Sequence, residues 1–286
     1  MKGKLICIVI ASIAGVLVVG SFSLGLFSGL ENFVEDLLFT PQPLSDEIVI
    51  AAIDNDSINK IGQWPLPSKI FADAFLALVK NPPQAVGLDV MLAEPSRRGR
   101  DDDETLEKSL NRTSYRIILP IEASPLLLDE SKPPRAGNIL KPLEIFSAAP
   151  GVRHGHVNLI LDSDGVVRRF PTFIVSSDPP GEKEIKAFAY EIALAAGKPI
   201  PDESGLNGIE RIVFSSPAGN IRRVPFYRIL ENGSSLNLEG KIVLIGATAP
   251  DLHDEKPTPL SRGSQMPGVE IQANMLNMLI KGYRLR

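Results

Sequence analysis

The chain has 286 residues, a formal net charge of −4 and 44% hydrophobic residues. Acidic and basic residues are interspersed without a basic stripe, which argues against a nucleic-acid partner. The only cysteine, Cys7, lies in an apolar segment near the N-terminus. The remainder of the chain therefore cannot form an internal disulfide, and it is long enough to bury a core of its own.

The apolar segment carries no charged residue over positions 5–30. At 1.5 Å rise per residue it can cross a hydrocarbon core of roughly 30 Å, which predicts a transmembrane helix there. Lys2 and Lys4 precede it and acidic residues follow it, so positions 1–4 are expected in the cytoplasm. This predicts a single pass through the inner membrane, with the main domain periplasmic or extracellular. A cleaved signal peptide is the alternative, although no Ala-x-Ala-type site follows the apolar core.

Beyond this segment we predict a linker over 31–44 that contains two prolines, a folded domain over 45–280 and a C-terminal stub over 281–286. Short apolar runs alternate with helical periods along the domain. Strands are predicted at 48–53, 85–92, 116–121, 211–214, 221–224 and 241–245. Helices are predicted around 71–79 and at 103–110, 187–196 and 269–280. A hairpin is predicted from 155–161 and 166–175, whereas 122–150 is predicted to be irregular. The alternation indicates an α/β fold with a mixed, mainly parallel sheet flanked by helices.

Two aspartates follow predicted strands. Asp54 ends the first strand, and Asp89 interrupts the second. Ligands of open α/β sheets bind beyond the carboxyl ends of the strands, so Asp54 is a candidate site residue, as is Asp89 if its strand ends early. For Asp54 a structural role is equally compatible with the sequence. Asp56 and Ser57 are expected to cap a helix that begins near Ile58.

The segment Asp54-Asn55-Asp56-Ser57 after an apolar strand resembles, thinly, the Asp-x-Asp-x-Ser or Thr nucleophile motif of haloacid-dehalogenase-type phosphatases. In that alternative, Asp54 and Asp56 would carry Mg²⁺-dependent phosphate hydrolysis. The chemistry also needs a downstream lysine and an acidic pair in a fixed order. The candidates for that pair directly after Thr248 are Asp251, Asp254 and Glu255, with little chain left to form a sheet around them, so no catalytic residue is assigned.

His154 and His156 are two residues apart, which places them on one face of a strand. With the nearby carboxylates they could contribute to a transition-metal site, but two ligands do not complete one. We therefore expect no metal and no cofactor. The turn at 162–165 fails as an EF-hand loop, because Val167 and Phe173 occupy the positions that need glycine and a bidentate glutamate.

The only tryptophan, Trp64, stands between Gln63 and Pro65. It is either a core anchor or a stacking wall for an apolar ligand. Arg168 follows the acidic turn and either contacts a ligand or pairs with a neighbouring acid.

In chain order, the motifs are Asp54 with Ser57; Gly-Gln-Trp-Pro at 62–65; Val-Gly-Leu-Asp-Val at 86–90; Gly-His-Val-Asn at 155–158 ahead of the turn at 162–169; Gly-Lys-Ile-Val-Leu-Ile-Gly-Ala-Thr at 240–248; Asp254 before Thr-Pro-Leu at 258–260; and Pro-Gly-Val-Glu-Ile at 267–271 leading to Ala-Asn at 273–274. Their number and order across residues 40 to 280 resemble the CHASE2 domain, an extracytoplasmic sensor module of bacterial signalling receptors.

The resemblance implies a homodimeric, membrane-attached receptor input that binds an unknown small-molecule or envelope signal. It also implies an intracellular output outside this chain, such as a cyclase, a kinase or a diguanylate cyclase. The chain itself is then not an enzyme. The candidate ligand contacts are Asp54, Trp64, Asp89, His156, Asp164, Arg168 and Asp254. A cell-envelope scaffold that senses nothing remains the third alternative.

Overall fold

A computed structural model describes residues 40–129, 132–176, 183–200, 208–261 and 264–284, together with positions 12, 13, 15, 16, 19, 20 and 36. The chain divides into two compact units, Met1–Thr40 and Pro41–Arg286. Most of the predicted membrane segment falls outside the described residues. Within the described part of the chain, no helix is both long and apolar enough to cross a membrane.

The second unit contains a mainly parallel sheet with helices on both faces, so the predicted fold class is confirmed for this unit. The strands are β1 (Ile48–Ile53), β2 (Ala85–Asp89), β3 (Arg116–Asp129), β4 (Lys132–Leu140), β5 (Val152–His156), β6 (Ile160–Leu161), β7 (Val167–Pro171), β8 (Phe173–Ser176), β9 (Lys183–Lys186), β10 (Ile209–Arg211), β11 (Arg223–Pro225), β12 (Ile242–Ala247), β13 (Glu255–Lys256) and β14 (Met266–Pro267). The helices are α1 (Asn55–Ile61), α2 (Ser68–Leu78), α3 (Arg100–Leu110), α4 (Glu144–Ser147), α5 (Phe188–Ala195), α6 (Phe226–Asn232) and α7 (Gly268–Lys281).

The central part of the sheet has the strand order β11-β1-β12-β2-β3-β5, and each of these pairings is parallel. Strands β1 and β12 are buried on both faces, as their unbroken apolar sequences require. Alternate residues such as Val49, Ala51 and Ile53 pack with α2, α3 and α6 on one face. Helices α5 and α7 pack against each other and cover the opposite face.

The segment 122–150, predicted to be irregular, is instead largely ordered. Strand β3 continues past the central sheet to Asp129 and pairs antiparallel with β4, which pairs with β8. Its polar and proline-rich sequence conceals a strand because only one face of this hairpin is buried, with Ala123 and Ala136 turned to a small apolar cluster. The long hairpin rises from the carboxyl end of the sheet.

Several element boundaries also differ from the sequence-based prediction. Strand β2 ends at Asp89, and the strands expected at 211–214 and 221–224 are instead Ile209–Arg211 and Arg223–Pro225. The predicted turn at 162–165 does join β6 to β7, with the Gly165 amide donating to the Asp162 carbonyl at 2.8 Å. The hairpin prediction is therefore confirmed, although its first arm is shorter than expected.

Candidate ligand-binding site

A cleft of about 780 Å³ opens at the carboxyl ends of β2 and β12, beside the middle of β3, where that strand leaves the central sheet. Its walls come from the loop before α2, the loop after β2, the base of the β3–β4 hairpin and the segment after β12. The lining side chains include Trp64, Leu66, Phe71, Asp89, Met91, Leu92, Glu94, Arg97, Arg98, Glu122, Leu140, Val157, Ala247, Leu252 and Asp254. The cleft thus combines apolar walls with several carboxylates.

The topology explains why the cleft forms between β2 and β12. These two strands are neighbours in the sheet, with Gly246 opposite Asp89. The chain leaving β2 leads to α3 on one face, whereas the chain leaving β12 leads to α7 on the other. Adjacent connections that part to opposite faces open a crevice at the carboxyl edge, the usual ligand position in open α/β sheets.

Asp89 and Asp254 form the acidic floor of the cleft. Burial raises the pKa of the Asp89 carboxyl to about 7, and the neighbouring Asp254 carboxylate contributes to this rise. Burial also raises the pKa of Asp254, with Glu122 and Glu255 adding to the rise and Lys256 opposing it. Both shifts have the same physical origin, because partial burial and like charges disfavour the ionised form.

Two glycines allow the first turn of α7 to approach this floor. A Cβ at Gly246 would lie 2.7 Å from Cβ of Val269 and 3.2 Å from Cβ of Asp89. A Cβ at Gly268 would lie 2.5 Å from the Asp254 Oδ2 atom. The amide of Gly268 also donates to the Asp254 carbonyl at 2.7 Å. The N-terminus of α7 therefore lies directly against the acidic floor.

The position of Trp64 corresponds to a core anchor, and its stacking against a ligand stays a prediction. It is half-buried and packs against the main apolar core, and it also lines the cleft. The outer wall beside it is fixed by α3. Asp102 accepts hydrogen bonds from the Ser68 and Lys69 amides at 2.8 and 3.0 Å, and Asp103 accepts one from the Ser96 amide at 3.0 Å. These contacts attach both neighbouring loops to one helix.

Asp54 caps α1 and is not among the residues that line the cleft. Its Oδ1 atom accepts a hydrogen bond from the Ser57 amide at 2.8 Å. The expectation that Asp56 and Ser57 form the cap was wrong. Helix α1 begins three residues earlier than predicted, and Ser57 lies buried within it. The cap uses one of the two carboxylate oxygens of Asp54 and gives this residue a structural role.

Asp164 and Arg168 belong to a separate feature, residues 162–169, which we call the charged turn. Both guanidinium nitrogens of Arg168 donate to the Asp164 carboxylate, at 2.9 and 2.8 Å, and one also donates to Asp162 at 3.0 Å. Arg168 is only 3% exposed. The hydrogen bonds from Arg168 lower the pKa of Asp164. This geometry corresponds to the ion-pairing alternative for Arg168.

His156 lies inside the sheet and is fully buried. Neither ring nitrogen has a hydrogen-bonding partner. Burial lowers the pKa of the imidazole to about 3, and the backbone at Pro171 opposes this shift more weakly. His154 is partly buried, and its Nε2 atom lies 3.1 Å from Ser147 Oγ. In the described part of the chain, no group of three or more histidine, cysteine or acidic side chains is arranged to hold a metal ion.

Of the seven candidate contacts, the structure brings together Trp64, Asp89 and Asp254. It places Asp54, His156 and the charged turn outside the cleft lining. Sequence reasoning missed Glu122 and Leu92, which also line it. Glu122 directly follows the predicted third strand, so its position at a carboxyl end was the signal that could have identified it.

Comparison with protein-family models matches the CHASE2 domain over residues 13–285. The chain belongs to the CHASE2 family. The CHASE2 domain is an extracytoplasmic sensory module of signalling receptors and is not a catalytic domain. Comparison with curated proteins and with solved structures gave no match.

Proposed function

We propose that this CHASE2 domain is the input of a membrane-bound receptor that binds its signal in the cleft. In this proposal residues 5–30 form the membrane anchor, two copies associate, and the conformational change reaches an intracellular output outside this chain. The CHASE2 match begins within the apolar segment, at residue 13, which supports an anchor attached to the sensory domain.

The observation that carries the proposal is the position of α7. Its first residue, Gly268, lies against Asp254 in the cleft, and at 1.5 Å per residue its 14 residues extend about 21 Å away from the cleft. Near its other end, Asn277 accepts a hydrogen bond from the Ser45 amide at 2.9 Å and donates to the Pro43 carbonyl at 3.1 Å. One buried helix therefore joins the cleft to the chain that follows the apolar segment.

A ligand changes a receptor only through different affinities for its two states. Because Asp254 contacts the start of α7, a ligand that moves this carboxylate also acts on the helix. A shift of the rigid helix then acts on the segment 43–45. Two-state behaviour of α7 is the central requirement of this proposal.

The test begins with a thermal-shift screen of the full chain in detergent against envelope metabolites, ions and peptidoglycan fragments. A saturable ligand should raise Tm, and Trp64→Ala should weaken its binding. Hydrogen exchange of residues 41–47 should then change when that ligand binds. Asn277→Ala should retain the affinity and lose the exchange response, whereas the exposed Asn111→Ala should retain both.

A ligand that binds with no change at residues 41–47 would contradict the receptor role. The absence of any ligand, together with a stable protein complex in the envelope, would favour the non-sensing scaffold. Light scattering of the same sample measures whether two chains associate.

A further inference from the structure

The acidic floor of the cleft lacks the partners that carboxylates elsewhere in this domain possess. Among the described residues, no hydrogen-bond donor reaches the carboxylate of Asp89 or of Asp254. By contrast, the buried Glu270 receives the Gly219 amide and contacts the Arg223 guanidinium. The two carboxylates are only partly buried, and although Lys256 opposes the rise in the pKa of Asp254, burial and the neighbouring acids outweigh it, so an added positive group would be favoured beside them.

The other residues that line the cleft indicate which class of ligand would bind beside the carboxylates. Trp64 and Leu92 present aromatic and aliphatic surface to the same cleft as the carboxylates, and the cleft volume suits a small organic molecule. A tryptophan face also attracts cations. A hydrated divalent ion would use the carboxylates but not this apolar surface, because it requires several further oxygen ligands.

The two arginines of the cleft do not neutralise the floor. Arg97 and Arg98 are exposed, whereas Asp89 and Asp254 are partly buried. An anion would therefore meet the arginines at the rim and encounter repulsion further in. A positive group therefore gains more than a neutral donor from contact with the floor.

We propose that the cleft binds an organic cation, with an ammonium group between Asp89 and Asp254 and an apolar or aromatic body against Trp64. An ammonium group has three donors and no acceptor, which matches two carboxylates without partners. This inference rests on the proposed function in one respect, that the cleft is the ligand site.

The test uses 2-phenylethylamine as probe and 2-phenylethanol as its neutral analogue of similar shape. Calorimetric titration of the full chain in detergent at pH 8 should detect the amine and give at least about 10-fold weaker binding for the alcohol. Asp89→Asn and Asp254→Asn should each weaken the amine by about 10-fold or more. Asp46→Asn, at a side chain that is 96% exposed, should leave its affinity unchanged.

A second variant moves the Asp254 carboxylate without changing the charge of the cleft. Gly268→Ala introduces a Cβ that would lie 2.5 Å from Asp254 Oδ2, so the carboxylate must move. Amine binding should weaken while the urea midpoint stays near that of the wild type. Equal affinity for the amine and the alcohol, or full amine affinity in both Asn variants, would overturn the proposal.

The outcomes separate this inference from the proposed function. A neutral or anionic ligand that needs Trp64 but not Asp89 would overturn the cation inference and retain the cleft as the sensory site. Amine binding that needs both aspartates, with no response at residues 41–47, would support the cation inference and contradict the receptor role.

Discussion

The cleft and the charged turn both contain aspartates and arginines, but the aspartates pair with arginine only in the charged turn. In the charged turn, every carboxylate faces an arginine, and Asp162 receives hydrogen bonds from both Arg168 and Arg169. In the cleft, burial and the Asp254 charge raise the pKa of Asp89, and among the described residues no hydrogen-bond donor reaches either carboxylate. The difference teaches that an aspartate's partners, and not its motif, separate a structural role from a binding role.

The largest expected effect comes from breaking the charged turn. Arg168→Ala leaves the Asp162 carboxylate, only 7% exposed, without its buried partner and removes both bonds to Asp164. Loss of one member of a buried ion pair costs about 3–5 kcal/mol, so the free energy of unfolding in urea should fall by about that amount. Amine affinity of the folded fraction should not change.

Arg169→Ala is the matched control, because this side chain is 42% exposed and Asp162 keeps Arg168. Loss of the Arg169 side chain should lower the free energy of unfolding by much less than loss of Arg168. An Arg168→Ala variant as stable as the wild type would show that the ion pairs of the charged turn do not stabilise the fold.

A smaller effect of opposite sign is expected from the cleft. Burial raises the pKa of Asp89 from 3.8 to about 7, so the folded state binds this proton more tightly than the unfolded state. Stability associated with protonated Asp89 is present below pH 4 and is lost as the pH rises towards 7. Asp89→Asn should avoid this loss and gain up to about 4 kcal/mol at pH 8, less to the extent that solvent reaches this partly buried carboxyl, with little difference at pH 4.

Urea unfolding of both proteins at pH 4, 6 and 8 measures this effect. The exposed Asp46→Asn should show no comparable gain. If Asp89→Asn proves less stable than the wild type at pH 8, then Asp89 has a stabilising partner in the cleft.

The smallest effect concerns Asp54, which lies outside the cleft lining although its motif resembles a site. Asp54→Ala removes the bond to the Ser57 amide and should cost about 1 kcal/mol, as is usual for a helix N-cap. Asp54→Ser retains a capping oxygen and should restore most of the stability. A loss of ligand affinity in both variants, with normal stability, would assign Asp54 to the binding site.

Local patterns predicted most elements of the fold. Apolar runs located β1 and β12, helical periodicity located α2 and α7, and a turn sequence located the β6–β7 connection. The β3–β4 hairpin was missed because burial on one face leaves a weak apolar signal. Helix α1 was misplaced because four successive polar residues, 54–57, could each have formed its cap. Local sequence does not decide among such equivalent caps.

The site was predictable only in part, for a related reason. The sequence by itself determined that Asp89 follows a buried strand, that Trp64 stands alone and that the chain carries the CHASE2 motifs in order. Tertiary structure alone decided that Asp254 comes near both Asp89 and Glu122, whereas Arg168 binds two acids within six residues. Short-range pairs follow from spacing along the chain. Contacts at the carboxyl edge depend instead on strand order and on the faces to which the connections run, and both are properties of the whole packed sheet.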